Sequence, residues 1–234
     1  MIKVIGFDAD DTLWDYEYIY HEAKPKIAKI LGGSENYDEL FYQLDQAEVR
    51  NISLYGYGVK SYALSMLENV ARFTGKSFDS DQLIQLIELI RDMLTENFPI
   101  NPYAEEVLSA LSSEYDLILI TKGEGYEQER KVERSGLAGY FNAIEVVSYK
   151  TEAIYRKVLK RNSIASENFL MVGNSLKSDI LPVINIGGKA VHIPHEVAWF
   201  HEDVSDHERE AIDYFQLEHL GQLLELVQRL APRI

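Results

Sequence analysis

Four short apolar runs stand out along the chain: Val4-Ile5-Gly6-Phe7, Leu117-Ile118-Leu119-Ile120, Ala143-Ile144-Glu145-Val146-Val147 and Phe169-Leu170-Met171-Val172. Each has the length and the β-branched content of a strand buried on both faces. Helical periodicities fill the gaps between the later runs, over Gly125 to Ser135 and Glu152 to Arg161, and a further strand pattern follows at Ala190-Val191-His192-Ile193. Strands that alternate with helices of this length predict a doubly wound parallel sheet, an α/β fold.

The first two strand patterns are more than a hundred residues apart, too far for one crossover helix. Between them only helical periods occur, at Ala23 to Leu31, Tyr37 to Arg50, Ser61 to Phe73 and Asp81 to Met93. The pattern therefore predicts a core formed by residues 1–14 and 97–234, with an inserted α-helical domain over 15–96. Asn101-Pro102 reads as an N-cap followed by a first-turn proline, where the chain returns to the core. Apolar positions at helical spacing from Leu217 to Leu230 predict a closing helix.

Composition narrows the function classes. The 234 residues carry 23 Lys and Arg against 38 Asp and Glu, a formal charge of −15, yet 46% of them are apolar. The chain can bury a core, and its mean field opposes nucleic-acid polymers and anionic membranes. With no cysteine, disulfides, thiolate metal sites and thiol nucleophiles are excluded. The N-terminal segment lacks the apolar core of a secretion signal, and no stretch suits a membrane span, so the expectation is a soluble cytoplasmic protein. The sequence leaves the oligomeric state open.

Polar residues that follow the strands carry the chemistry: Asp8 after the first, Thr121 and Lys122 after the second, Lys150 beyond the third, and Asn174 after the fourth. In an open parallel sheet, ligands bind outside the carboxyl ends of the strands, so these residues are expected to converge. Asp8 and Asp10 stand two apart at a strand exit. Two carboxylates a few ångströms apart repel by about 4 kcal/mol at an effective dielectric of about 20. A cation or a shared proton has to offset this, and the pair suits a nucleophilic carboxylate beside a general acid.

In these residues the chain resembles the haloacid dehalogenase-like hydrolase superfamily. Asp8, Asp10 and Thr12 match its DxDxT motif, Thr121 its second-motif hydroxyl and Lys150 its lysine, with Lys157 and Lys160 as alternatives. The stretch from Gly173 to Asp179 matches its acidic fourth motif, except that Asn174 stands where an Asp is usual. The resemblance implies a Rossmann-like core with a C1 cap and a Mg²⁺-dependent phosphatase acting on a small phosphorylated metabolite. Asp8 would be the nucleophile and Asp10 the acid and base, with Thr121, Lys122 and Lys150 on the phosphate. The metal would lie among Asp8, Asp10, Asn174 and Asp179. Two other readings stand beside this one. One is a 2-haloacid dehalogenase, although members with that activity lack the carboxylate at the position of Asp10. The other is a weakened, non-catalytic member, suggested by Asn174.

The run Arg50 to Lys60 reads as a loop with flexible glycines, in which Arg50, Tyr55, Tyr57 and Lys60 are candidates for substrate specificity. His192, His195, His201 and His207 follow no metal-ligand spacing and read as a strand end and surface loop. Trp14 and Trp199 are candidates for walling the crevice.

Overall fold

The structure, a computed structural model, describes residues 1–31, 37–73, 79–195, 204–205 and 213–231, without the side chains of Tyr37 and Phe73. The chain divides into two compact units, Met1–Tyr16 with Phe98–Ile234, and Glu17–Asn97.

The first unit is a parallel sheet in the order β3-β2-β1-β4-β5-β6. Its strands are β1 (Val4–Phe7), β2 (Asp116–Lys122), β3 (Ala143–Val147), β4 (Phe169–Gly173), β5 (Lys189–His192) and β6 (Phe215–Gln216). β1 is central, pairing Phe7 with Leu119 on one side and with Val172 on the other. The strand order reverses there, which places the crevice of an open α/β sheet at its carboxyl end. Alternate strand residues Val4, Ile118, Ile120, Phe169 and Met171 pack on one face. They meet Tyr155, Val158 and Leu159 of α7 (Glu152–Arg161) and Val183 of α8 (Leu181–Asn185). Each such side chain contributes roughly 1.5–3 kcal/mol by leaving water.

Among the described residues this unit also has α5 (Ala104–Leu111), α6 (Gly125–Ser135) and α9 (Leu223–Leu230), of which α9 packs on α5. α6 and α7 span the predicted stretches. α9 is shorter than predicted because a 3₁₀ turn at Leu220–Gln222 occupies the start of the expected helix, and β6, just ahead of it, is too short for a periodic signal. The reading of Asn101 as an N-cap is corrected. α5 begins at Ala104 behind Tyr103, whose φ is 68°, while the Asn101 side chain donates to the Thr12 carbonyl at 2.9 Å. Asn101 thus ties the returning chain to the loop after β1.

The second unit is helical: α1 (Glu17–Ile30), α2 (Tyr37–Tyr55), α3 (Val59–Phe73) and α4 (Ser80–Thr95). Ile19, Ile27, Leu44, Tyr62, Met66 and Leu86 are among its most deeply buried side chains. Asn51 joins α2 to α3 by donating to Ser65 Oγ and Glu68 Oε2 at 3.1 and 2.9 Å. Asp79 and Gln82 form a reciprocal capping box at the start of α4, each side chain accepting the other's backbone N–H. The expected loop from Arg50 to Lys60 shrinks to residues 56–58, because α2 runs on to Tyr55 and α3 starts at Val59. Among the described residues, no helix is long and apolar enough to cross a membrane.

Gly6 shows how closely the central strands approach. A β-carbon there would lie 2.4 Å from Cζ of Phe169, a ring with no exposed surface. Gly6→Ala is expected to cost about 1–3 kcal/mol through overpacking. Denaturant unfolding should show a lower midpoint at unchanged slope.

Candidate active site

The loop after β1 turns back sharply. Thr12, Leu13 and Trp14 all direct their N–H groups to the Ala9 carbonyl, and Asp11 adopts a positive φ of 62°. This places Asp8, 7% exposed, at the end of the central strand. Lys150, delivered by the loop after β3, donates to Asp8 Oδ1 at 2.5 Å and to Asp179 Oδ1 at 2.6 Å. Lys157 and Lys160, the alternative lysines, are exposed on α7. Two buried carboxylates thus share one buried ammonium.

Electrostatics follow from that count. Burial disfavours the charged form of Asp8 and the charge of Asp179 adds to this. Lys150 pulls the other way, and the Asp8 pKa is raised from 3.8 to about 7. Burial alone would lower Lys150, but Asp179 and Asp8 outweigh it and hold the ammonium above its ordinary value. The group carries a net charge of −1 when all three are ionised.

Asp179, expected among the metal ligands, has other partners. It is fully buried, with Oδ1 on Lys150 and Oδ2 accepting from the Ser175 backbone N–H at 3.1 Å. Gly173 makes room for it, since a β-carbon there would fall 2.3 Å from Asp179 Oδ2. Asn174 faces the loop after β1. Thr12 Oγ1 lies 3.3 Å from Asp8 Oδ2 and 3.4 Å from Asn174 Oδ1, which brings two oxygen donors around one hydroxyl.

Asp10 lies in a separate setting. Its Oδ2 accepts from Lys131 Nζ at 2.6 Å and Gln128 Nε2 at 3.0 Å, and its Oδ1 from Trp14 Nε1 at 2.7 Å. Trp14, expected to wall the crevice, is instead packed in the core: its ring is buried and its indole N–H holds Asp10. The buried Thr121 donates to Gln128 Oε1 at 3.2 Å, and Lys122 donates to Ser178 Oγ at 3.1 Å. Lys131 and Gln128 are absent from the sequence-based candidates. They sit among charged residues of α6, where the sequence Glu-Gln-Glu-Arg-Lys reads as a solvated face. Only their spacing of three, which shares a helix face with the apolar Val132, hinted otherwise.

The histidine expectation changes in one respect. His195 Nε2 lies 3.6 Å from Asp15 Oδ1 and 4.0 Å from Asp11 Oδ1, a grouping that could hold a cation. His192 ends β5, with Nε2 3.0 Å from the Asn174 carbonyl. His201, His207 and Trp199 lie outside the described residues. In the helical unit, Arg50 and Tyr55 are exposed near the end of α2, Tyr57 is half-buried and Lys60 is exposed at the start of α3.

The family described as haloacid dehalogenase-like hydrolase matches residues 2–187. The chain belongs to that family. A hydrolase of the haloacid dehalogenase-like family from Xanthomonas campestris superposes with a TM-score of 0.85 at 32% identity, covering 98% of this chain and 91% of its own. Two glyceraldehyde 3-phosphate phosphatases are also similar. The one from Pyrococcus furiosus is 27% identical over 241 residues, covering 97% of this chain and 94% of its own length. The one from Methanothermobacter thermautotrophicus is 25% identical, with 97% and 100% covered. The α/β sheet with an inserted helical unit is thus the fold of a hydrolase family, and the acidic group ends the strand where that fold places its crevice.

The shared ammonium makes a stability prediction. Because the folded pKa of Asp8 lies above its unfolded value, the wild type is expected to lose stability as pH rises from about 4 to about 7. In EDTA, Asp8→Asn should therefore melt a few degrees above wild type at pH 8, and the gain should vanish near pH 4. Lys150→Met, which leaves Asp8 and Asp179 opposed, should cost about 3–5 kcal/mol. A Lys150→Met variant as stable as wild type would contradict this electrostatic account.

Proposed function

We propose that this chain is a Mg²⁺-assisted phosphatase for a small phosphorylated metabolite, with residues 17–97 as its cap. Asp10 carries the reading: a second carboxylate two positions after Asp8, held in place by Lys131 instead of Lys150. Displacement of halide from carbon needs one nucleophilic carboxylate, whereas phosphoester cleavage also needs a group that protonates the leaving oxygen. The similarity to two glyceraldehyde 3-phosphate phosphatases supports the same choice.

In this reading an Asp8 carboxylate oxygen attacks phosphorus in line. The ester P–O bond breaks, and Asp10 gives the leaving oxygen its proton. Asp10 then takes a proton from water as that water attacks the phosphorus of the aspartyl-phosphate, which releases inorganic phosphate and restores the Asp8 carboxylate. Lys150 fixes the Asp8 carboxylate and offsets its charge as the anionic substrate arrives. Thr121 and Lys122, at the end of β2, are assigned to the phosphoryl oxygens.

The residues present fit a hard divalent cation. Asp8 and Asn174 offer oxygen donors that converge on Thr12, and the Asp8, Lys150 and Asp179 group carries an excess negative charge. The Asp10 backbone carbonyl completes the proposed set, with Asp179 acting through Lys150. When bound, Mg²⁺ supplies charge neutralisation for nucleophile and phosphate. Asn174 donates an amide oxygen in place of a carboxylate, so the site holds the ion more weakly than one with Asp there. Arg50, Tyr55, Tyr57 and Lys60 remain the proposed contacts to the leaving group.

Turnover of p-nitrophenyl phosphate is expected with Mg²⁺ and to be lost in EDTA. Asp8→Asn should reduce it to background, and Asn174→Asp should lower the half-saturating Mg²⁺ concentration by roughly tenfold, about 1.4 kcal/mol. Halide release from a 2-haloacid in EDTA would favour the dehalogenase reading. No turnover by a folded wild type, with no gain on Asn174→Asp, would favour a non-catalytic one.

A further inference from the structure

We propose that Lys131 is a positioning residue for Asp10, acting with Gln128 and Trp14 to fix where that carboxylate points. The inference rests on the phosphatase reading, in which Asp10 protonates the leaving oxygen. Three donors from two segments converge on one carboxylate: Lys131 and Gln128 from α6, and Trp14 from the loop after β1. The Asp10 side chain keeps 26% of its surface exposed, while that of Lys131 keeps 4%. The carboxylate is therefore accessible from one side and anchored on the other.

The ammonium has few other partners of comparable strength. It lies 3.6 Å from the centre of the Tyr16 ring, a face that favours a cation without directing it. Glu127 Oε1 is 4.0 Å away, beyond hydrogen-bond distance. Asp10 Oδ2 at 2.6 Å is the close carboxylate partner. An ion pair buried on the lysine side alone adds little to stability compared with apolar residues of the same volume. Its directional effect is larger, because a misplacement of about 1 Å at a reacting group lowers rates by roughly 100-fold. Gln128 extends the anchoring, since its Oε1 accepts from Thr121 while its Nε2 donates to Asp10. One side chain thereby sets the spacing between a proposed phosphate-binding hydroxyl and the proposed acid.

The test compares two leaving groups. p-Nitrophenolate departs without protonation, whereas phenolate depends on the acid. Lys131→Met keeps much of the aliphatic stem and removes the charge. Its kcat/KM for phenyl phosphate is expected to fall at least about tenfold further than that for p-nitrophenyl phosphate. In the Asp10→Asn background, the same substitution should change p-nitrophenyl phosphate turnover no further. Gln128→Met, which removes a neutral donor to the same oxygen, should shift the leaving-group ratio in the same direction by less, and it decides the matter if Lys131→Met melts below the assay temperature. Equal loss on both esters, no loss on either, or a further loss in the Asp10→Asn background overturns the proposal. An inactive wild type would count against the phosphatase reading, whereas an active wild type with an unchanged ratio in the variants counts against Lys131 alone.

Discussion

One buried ammonium faces two buried carboxylates. Lys150 lies between Asp8 and Asp179 in a setting where water cannot screen the mismatch, so one negative charge is left uncompensated. Burial, with the charge of Asp179 added to it, raises the Asp8 pKa to about 7 against the pull of Lys150. In a structural ion pair such an excess would be a fault. At the carboxyl end of a central parallel strand the same excess favours binding of a cation, and in the proposed mechanism the carboxylate it surrounds is the nucleophile. In the phosphatase reading an anionic substrate meets this chain of −15 overall charge at a site where Lys122 adds a cation beside the Asp8 group, and the overall charge still opposes polyanions.

The sheet order makes the arrangement possible. Because β1 lies between β2 and β4, Asp8 has the ends of both as neighbours, and the third strand's loop reaches over with Lys150. The close approaches at Gly6 and Gly173 show how little space is left. Asp179 occupies the volume that a side chain at 173 would fill, and from there it fixes both Lys150 and the Ser175 backbone. Asp10, only two residues beyond Asp8, has its own lysine. Two adjacent carboxylates in different environments can take different roles in one reaction.

Much of this was legible in the sequence, for identifiable reasons. Buried parallel strands leave apolar runs bounded by polar residues, so β1, β2 and β4 and the polar groups at their ends stood out, while β3, an edge strand expected to be buried on both faces, is apolar enough to be read with them but only partly buried. The insertion was visible because a hundred residues without a strand pattern cannot form one crossover. β6, with two residues, is too short to show a period. The run from Arg50 to Lys60 suggested a loop, but its glycines interrupt helix only at 56–58 and the polar residues on either side are helical surface. Lys131 and Gln128 were hidden for the opposite reason: on a helix of charged residues, a buried polar face looks like a wet one until the partner that buries it is known. Asp179 was found through the resemblance of Gly173 to Asp179 to an acidic family motif, yet its partner Lys150 comes from another loop, a relation that no local pattern records.

The proposed attack of Asp8 on phosphorus can be seen by acid-quenching the enzyme during turnover of a phosphoester with a radiolabelled phosphoryl group and mapping the label by proteolysis. A base-labile label is expected on the peptide containing Asp8, absent in Asp8→Asn. Steady release of inorganic phosphate by Asp8→Asn at the wild-type rate, with no label on that peptide in either protein, would contradict it.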